Sequence, residues 1–490
     1  MQYYHTHPFV ILTNMTRFLY LLVIPTLRGL FYALFSNFSA WLASAWLDLL
    51  ALGGIVLFAL IRWLAVTYSI TPASVRYRRG VFVRTELVIP TGRICAVSTS
   101  RPWYLAPFLA VWLSIDTLGG HARRADLTLC VSKKRMHTII DLYRIGQRRK
   151  PIVRRRYTPD NAHVALFALL TSDSFGGVLF AGVLISRLGS LIGQDVQEQF
   201  LGVINDFTRM VAFGVPTAAL VFSLFLLFGW LIAFFRNLAK HHRMDIRQQG
   251  RHLRLTAGLV TRRTYFLDTD KASFIVVKRS LVSLLLRLYT VYFDCAGFGK
   301  TDEDMKVLLL SCRKPEYQRL LSPLLPRFHE SDPSVRPRGL AVFRFIGWPL
   351  GFVLLLPVAT WVLAWLLPLF APSVRFAGMM ACVPAVWLLL TQWIGYFSSG
   401  VGLAEGCLTL RFPQRFALCS VVLPQENVTA VRVRQSLFQR AGKSCDLFLY
   451  AGFDRATVHH LKSLPLAEVR RLFPQTAVGN QPERTESVRP

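Results

Sequence analysis

Acidic and histidine side chains, which most catalytic and metal sites need, are few in this sequence and poorly spaced for either purpose. The 490 residues include 27 Asp and Glu and 11 His. His241-His242 and His459-His460 are adjacent pairs, and neighbouring side chains on a helix or strand point in different directions. The acidic run Asp302–Asp304 fits a solvated turn. With no nucleotide-binding, zinc-protease or serine-hydrolase motif present, the sequence predicts no catalytic residue, metal or cofactor, and therefore a non-enzymatic protein.

Basic residues are the remaining chemical signal, because guanidinium groups match the oxygens of phosphate. Lys and Arg number 57, which gives a formal net charge of +30. Cationic clusters beside a membrane attract anionic lipid, so we predict a headgroup- or partner-binding surface. The candidate residues fall into two groups: Arg78, Arg79, Arg84, Arg93 and Arg101, then Arg262, Arg263, Lys271, Lys278 and Arg279. The alternatives are topology alone or general surface attraction. No aromatic and basic platform of the RNA-binding kind is present, so no nucleic-acid partner is expected.

The elements that position these residues begin with apolar stretches long enough to cross a bilayer, which takes about 20 residues. Hydrophobic residues make up 53% of the chain and charged residues only 17%. The pattern predicts six spans in three hairpins: 17–35 with 47–66, 163–186 with 210–236, and 345–370 with 375–397. Arg28 and Asp173 fall within two of these spans. Ionisable groups inside a membrane suggest transport, so a transporter or channel is the alternative function.

The soluble segments that follow the hairpins carry most of the positive charge. By the positive-inside rule, all three segments and both termini are expected in the cytoplasm. The eight cysteines would then lie in a reducing compartment or a span, and none forms a C-x-x-C pair. We therefore interpret them as core residues.

The three soluble segments resemble one another, which predicts a threefold internal repeat. Gly80 and Gly258 each precede a Pro or Asp by ten residues, whereas Gln414 replaces the glycine in the third segment. Apolar residues alternate with arginines over 75–83, at 253–255 and at 431–434, as in half-buried antiparallel strands. Each segment closes with a strand and a helix-like pattern. The sequence thus predicts small β-rich modules, each with a C-terminal helix.

This order of elements resembles the bacterial pleckstrin-homology-like (PH-like) domain, bPH2, once catalogued as a domain of unknown function. The matching stretches are Gly80–Gly120, Gly258–Gly297 and Gln414–Gly452. Three such modules, each behind a membrane hairpin, are similar to the YdbT-like family of bacterial membrane proteins. The resemblance implies a binding or scaffold protein, and it suggests a smaller PH-like membrane protein as partner. It also suggests a role in envelope stress or resistance to membrane-active peptides.

The expected fold is integral membrane α-helical hairpins plus α+β PH-like modules, each an antiparallel β-sandwich or barrel with a C-terminal helix. The expected partner surface is the bilayer with its anionic headgroups, in a bacterial cytoplasmic membrane. The predicted divisions are hairpins at 1–66, 158–236 and 329–397, PH-like domains at 67–157, 237–328 and 398–475, and a flexible tail at 476–490.

Overall fold

The fold is described from a computed structural model. It covers residues 3–16, 38–117, 119, 124–144, 153–171, 217–250, 252–295, 297–298, 305–339, 341–452 and 457–474. Arg28, Asp173, Asp302–Asp304, the predicted span 17–35 and the predicted tail lie outside these residues. The chain divides into two compact units. The first comprises Met1–Arg156, Ile246–Lys271 and Ala296–Thr301, and the second Tyr157–Asp245, Ala272–Cys295 and Asp302–Pro490.

Long apolar helices form where the sequence is poorest in charge. Three segments of the described chain have the length and hydropathy to cross a membrane: Leu224–His241, Ala341–Leu366 and Pro368–Ser398. Leu52–Leu64 and Asn161–Thr171 are shorter apolar helical segments. The described helices are α1 (Phe38–Leu64), α2 (Lys133–Arg144), α3 (Asn161–Thr171), α4 (Thr217–His241), α5 (Leu281–Leu285), α6 (Lys314–Leu324), α7 (Ala341–Leu366), α8 (Ala371–Ser398), α9 (Leu437–Ala441) and α10 (Leu466–Leu472).

Helices α7 and α8 form a hairpin that agrees with the third predicted pair of spans. Gly378 of α8 lies against Thr360 of α7, where a Cβ on the glycine would come within 2.0 Å of the threonine methyl group. Small residues allow this close approach of backbones, which is how membrane helices gain packing contacts. Large apolar side chains such as Trp361 and Leu355 are exposed on the outside of the pair, as expected of surfaces that face lipid.

The strands agree with the predicted alternation of apolar and basic residues. The first ten are β1 (Tyr4–His5), β2 (Thr67–Ile70), β3 (Ser74–Arg79), β4 (Thr85–Pro90), β5 (Ile94–Pro102), β6 (Ala110–Thr117), β7 (Leu127–Ser132), β8 (Val153–Tyr157), β9 (Asp245–Gln249) and β10 (His252–Ala257). The second ten are β11 (Thr261–Asp268), β12 (Ala272–Ser280), β13 (Leu288–Cys295), β14 (Val307–Arg313), β15 (Gly400–Ala404), β16 (Cys407–Gln414), β17 (Ala417–Pro424), β18 (Val428–Arg434), β19 (Ser444–Ala451) and β20 (Thr457–Pro465).

In the first unit, a four-stranded sheet of order β1-β2-β3-β4 packs against strands of a second sheet. That second sheet has the order β7-β6-β5-β11-β10-β9-β8. The shared core includes Val75 and Ile89 from the first sheet and Val97 and Leu113 from the second, with Ile139 of α2 closing it. Because strand side chains alternate between faces, the residues on one face of each sheet reach this core, whereas Val88 on the other face of β4 is 46% exposed.

In the second unit, a six-stranded sheet of order β14-β13-β12-β17-β16-β15 packs against the three-stranded sheet β18-β19-β20. Leu408 and Val421 from the larger sheet meet Leu447 and Leu461 from the smaller, and Val469 of α10 covers them. Like α2 and α6, α10 follows directly on a strand, so the predicted closing helices are confirmed. The described parts are therefore membrane-type helices and antiparallel β-rich modules.

Two details of the strand prediction change. Val81 and Val83 are not strand residues, because β3 ends at Arg79 and both valines lie in the exposed connection to β4. Gly80 makes the turn possible. Its φ is +118°, and a Cβ would come within 1.9 Å of the Val83 carbonyl oxygen. In the third segment, which lacks the glycine, Arg415 takes the left-handed conformation with φ of 52°.

The cysteines of the described chain are all free thiols, and seven of the eight are buried. Burial raises the pKa of Cys419 to about 11. Burial likewise raises the pKa of Cys445 to about 11. These thiols are therefore packing groups, in agreement with the interpretation from the sequence.

Candidate functional site

The most unusual surfaces of the described chain are six connections between strands that expose apolar or aromatic side chains beside basic ones. We call them the apolar tips, and they span residues 80–84, 103–109, 258–261, 281–287, 415–416 and 435–443. Phe82 is 99% exposed and Phe438 is 91% exposed. Leu285, Leu259 and Phe416 are exposed in three of the others. Single exposed apolar residues are common on protein surfaces, but exposed apolar patches with a polar rim mark sites that interact with proteins or membranes.

The tip at 80–84 lies beside the end of helix α1. That helix ends at Leu64, and β2 starts three residues later at Thr67. The antiparallel register pairs Thr67 with Arg78, so β3 returns the chain to the end of the helix before the tip begins. Phe82 is therefore carried on the side of the module from which α1 emerges.

The tip at 103–109 contacts the N-terminal segment, and the tip at 258–261 lies next to it. The ring of Phe9 packs against Tyr104 and Phe108, with centroids 6.0 Å and 5.2 Å apart. Thr261, at the end of the second tip, pairs with Pro102 at the start of the first. These two tips of the first unit therefore lie side by side.

In the second unit, the tip at 415–416 reaches back along the span α8. The side-chain amide of Gln392 donates to the carbonyl oxygen of Arg415 at 3.5 Å, and Pro413 lies against Gly395. Gln392 is six residues before the end of α8, which is about 9 Å along the helix axis. The tip therefore overlaps the terminal turns of a membrane-type helix. Ser280 pairs with Ala417, which places the tip at 281–287 alongside.

The tip at 435–443 is fastened to the start of the span α7 through Asp446. The two terminal guanidinium nitrogens of Arg344, Nη1 and Nη2, each lie 2.9 Å from an oxygen of the Asp446 carboxylate. Gln439, within the tip, donates to the same carboxylate at 2.8 Å, and the Ser463 backbone N–H donates at 2.9 Å. Burial acts to raise the pKa of Asp446, but His460, the Ser463 N–H, Arg344 and Gln439 outweigh it and hold that pKa well below its ordinary value.

Eight of the ten sequence-predicted basic residues flank these tips. Arg78, Arg79 and Arg84 border the tip at 80–84, Arg101 precedes the tip at 103–109, Arg262 and Arg263 follow the tip at 258–261, and Lys278 and Arg279 precede the tip at 281–287. The structure therefore gathers most of the predicted residues at the tips.

The other two predicted residues, Arg93 and Lys271, lie at the opposite ends of the strands. Each is the last residue of a 3₁₀ turn, Thr91–Arg93 or Thr269–Lys271. The Lys271 ammonium donates to the Ile94 carbonyl oxygen at 2.8 Å, so it has a structural partner in the first unit. These two residues therefore lie away from the tips at the ends of their own strands.

The individual contacts of the basic residues differ. Arg78 pairs with Glu86 at 3.1 Å and lies over the ring of Tyr3, whereas Arg79, Arg84 and Arg262 are exposed.

Arg101 and Arg262 face each other across β5 and β11. Like charges directly opposite on neighbouring strands repel, so this position favours an anion. The Arg101 guanidinium also donates to the Ala106 carbonyl oxygen at 2.9 Å, which holds the aromatic tip in place.

Lys278 and Arg279 are held by aromatic rings of β13. The Lys278 ammonium lies 4.7 Å from the Tyr292 ring centroid, and the Arg279 guanidinium 4.9 Å from that of Tyr289. The ring faces attract these cations electrostatically. Tyr289 in turn stacks on Tyr317 with centroids 5.2 Å apart.

Arg279 also lines a cleft of about 580 Å³ in the second unit. Lys314, His329 and Arg411 also line this cleft, and Glu330 and Asp332 contribute two carboxyl groups. Arg411 already pairs with Glu330 at 3.1 Å and with Asp332 at 3.1 Å. Arg279 and Lys314 therefore remain as the cations that could take an anionic group.

The exposed aromatic and apolar tips were missed from the sequence. The signal was present, because Val81, Phe82 and Val83 stand between Arg79 and Arg84 directly after a glycine. Such a triplet combines apolar side chains with flanking cations, the two features by which amphipathic segments bind a membrane interface. Within the described residues, no three His, Cys, Asp or Glu side chains form a group that could hold a metal ion.

Comparisons with known proteins identify relatives of this chain. The sequence profile of the bacterial PH domain family matches residues 21–145. The chain is 21% identical over 416 residues to "UPF0699 transmembrane protein YdbT" of Bacillus subtilis (strain 168), which covers 79% of this chain and 80% of that protein. No solved structure gives a significant match. The resemblance to YdbT-like membrane proteins with bacterial PH-like domains is thereby confirmed, and the chain is a multi-pass membrane protein.

Proposed function

We propose that this YdbT-like chain is a non-enzymatic, membrane-anchored binding and scaffold protein whose PH-like modules grip the anionic surface of their own membrane through the apolar tips. The observation that carries the proposal is the exposure of Phe82 and Phe438 in basic loops beside the ends of α1 and α7. Apolar side chains enter the headgroup and acyl boundary, while flanking Lys and Arg bind anionic headgroups. A single tip contributes little, whereas several on one chain act together.

The proposal includes a threefold repeat and a cytoplasmic orientation. The repeat is supported by one order of elements that recurs after each described membrane helix or pair. It consists of three antiparallel strands, a 3₁₀ turn, a long strand, a short helical turn, two strands and a helix. The orientation is supported by the positive charge of the modules. Both termini and all modules would then face the anionic inner leaflet, in a bacterial cytoplasmic membrane.

The resemblance adds two expectations to the proposal: a smaller PH-like membrane protein as partner, and a role in envelope stress or resistance to membrane-active peptides. Recovery of a stoichiometric smaller protein in mild detergent, from cells that express the tagged chain, supports the first. Recovery of the chain alone counts against it.

Lipid selectivity tests the central part of the proposal. The full chain is reconstituted in nanodiscs that contain phosphatidylcholine and phosphatidylglycerol, and the lipids that remain after partial delipidation are measured by mass spectrometry. Arg84→Gln combined with Arg262→Gln removes two exposed charges at tips. Each contributes about 1 kcal/mol of attraction to anionic lipid, which is roughly five-fold in preference.

The matched control is Arg93→Gln combined with Arg327→Gln. Both residues lie at the strand ends opposite the tips. Arg93 ends the 3₁₀ turn after β4, and Arg327 pairs with Glu426 in the 3₁₀ turn after β17. We expect the tip variant to lose its enrichment in phosphatidylglycerol and the control to retain it. Equal enrichment in the two variants would contradict the proposal.

A further inference from the structure

Two strand junctions of the described chain are built with the same register. In the first unit β5 pairs with β11, and Val97 stands opposite Phe266. In the second unit β12 pairs with β17, and Ile275 stands opposite Val422. Val97 and Ile275 are the fourth residues of their strands, and Phe266 and Val422 each lie two residues before the end of theirs. The junction therefore has a defined pairing rule.

The corresponding strands of the first and third modules, β4 and β18, both lie at sheet edges. Within the described residues, β4 and β18 each have a strand neighbour on one side only. Val88, two residues before the end of β4, is 46% exposed, whereas Phe266 is 5% exposed and Val422 is fully buried. On β18 the fourth residue, Val431, is only partly buried, whereas its counterparts on β5 and β12 are buried.

The 3₁₀ turns provide a second feature of the junction. Lys271 donates to the carbonyl oxygen of Ile94, the first residue of β5, at 2.8 Å. Asn427 donates to the carbonyl oxygen of Ala272, the first residue of β12, at 3.0 Å. Arg93 occupies the same last position of the first 3₁₀ turn and is exposed. It has the reach and the donors to make this contact with the first carbonyl of another such strand.

We propose that β18 of one molecule pairs with β4 of a second copy of this chain, with Val431 opposite Val88 and Arg93 donating to the Val428 carbonyl. The second copy is the occupant because one chain carries both halves of the missing junction. An exposed strand edge offers a row of backbone donors and acceptors to another chain. The contact is head-to-tail, so repetition gives a ring or an open filament rather than a two-fold dimer.

Disulfide crosslinking between differently tagged copies tests this pairing. One copy carries Val88→Cys and the other Val431→Cys, and the two are co-expressed and oxidised in membranes. Side chains directly opposite on antiparallel strands have Cβ atoms about 5 Å apart, close to disulfide geometry, whereas diagonal neighbours are about 7–8 Å apart. The matched control is Val88→Cys with Val433→Cys, shifted by two residues on the same face.

We expect a crosslinked species carrying both tags, several-fold more abundant for the first pair than for the shifted pair, and reduced by Arg93→Gln. Equal yields from the two pairs would indicate random collision, and no crosslink would indicate that Arg432 and Arg434 keep the edge free. Either result overturns the proposal, as does a smaller protein crosslinked to β18 in place of the second copy.

Oligomeric mass provides an independent measurement. Val88→Lys places a charge at the proposed junction, and we expect it to lower the oligomeric mass of the purified full chain in detergent. Val458→Lys is the control, because Val458 is 49% exposed on β20, an edge strand outside the proposed junction. Equal masses for wild type and both variants would contradict the proposal.

Discussion

The Asp446 network gives the sharpest prediction, because one buried carboxylate joins a membrane-type helix to an apolar tip. The change is Asp446→Asn, which preserves the size of the side chain. The carboxylate accepts two bonds from Arg344, one from Gln439 and one from the Ser463 N–H. The amide has one acceptor oxygen, and its NH₂ group must face donors. The variant therefore leaves buried donors without acceptors.

The magnitude follows from burial. The Asp446 side chain is 7% exposed and that of Arg344 is 41% exposed, so Arg344 can regain water while Gln439 and the Ser463 N–H cannot. Breaking a buried charge pair costs about 3–5 kcal/mol, and a hydrogen bond to a charged group about 1.5–3 kcal/mol. We expect a loss of about 3 kcal/mol, which corresponds to a decrease in Tm of roughly 6–12 °C.

The assay is thermal unfolding of the full chain in detergent, with Arg338→Gln as the control. Arg338 pairs with Glu468 at 3.2 Å, but its side chain is 73% exposed, so its loss should cost no more than about 1 kcal/mol. The reasoning is refuted if Asp446→Asn and Arg338→Gln lower the Tm equally little.

The pH dependence of this effect has a defined sign. The folded pKa of Asp446 is lowered, so its stabilisation is fully present above the ordinary carboxyl pKa of about 4. It is lost as the pH falls through the folded pKa. The difference in Tm between wild type and Asp446→Asn should therefore be constant from pH 7 to about pH 5 and shrink only below about pH 4.

Three further predictions concern the cores. Burial lowers the pKa of His459 to about 4, so the free energy of unfolding of wild type should fall by about 2 kcal/mol between pH 7 and pH 5, because the unfolded state takes up the proton. In urea unfolding, His459→Phe should remove most of that decrease. An unchanged pH dependence of the variant would contradict the prediction. Gly297→Ala should lower the free energy of unfolding by about 2 kcal/mol, because a Cβ there would come within 2.4 Å of the Asp116 Cβ. The control is Gly119→Ala, which should be tolerated because a Cβ at residue 119 would have no atom within 4 Å. Equal melting curves for the two variants would count against this packing. The Cys419 thiol should resist maleimide at pH 7 until the chain is unfolded, because its pKa is about 11; rapid labelling of the native protein would show that it is not buried.

The sequence sufficed to predict the elements whose pattern is local. Leu253 and Leu255 alternate with Arg254 and are both fully buried in β10, and the charge-free stretches after Phe345 became α7 and α8. Period-two and long apolar patterns fix which face is buried without any knowledge of partners.

Strand partners and the positions of turns were harder to predict from the sequence. The pairing of β5 with β11 joins residues about 165 positions apart, and no local pattern specifies such a contact. Val81 and Val83 continue the alternation of β3, so period alone extends the strand past its end at Arg79. Only Gly80, with its left-handed backbone conformation, marks the point where the strand ends and the exposed tip begins. Arg93 and Lys271 were grouped with the other basic residues because they are close to them in the sequence. A full strand separates each of them from the nearest tip, so they lie at the opposite end of the module.

The depth of an apolar tip in the bilayer tests the central claim most directly. Phe82→Cys and, as the reference, Arg124→Cys are each labelled with an environment-sensitive fluorophore in the full chain in nanodiscs containing phosphatidylglycerol. Arg124 is exposed in the connection from β6 to β7, away from the tips and from the proposed strand junction. Wild type provides the background from native thiols. We predict that the label at residue 82 has a blue-shifted emission and is protected from an aqueous quencher, while the label at residue 124 is fully quenched. Equal quenching at the two positions would contradict membrane insertion of the tips.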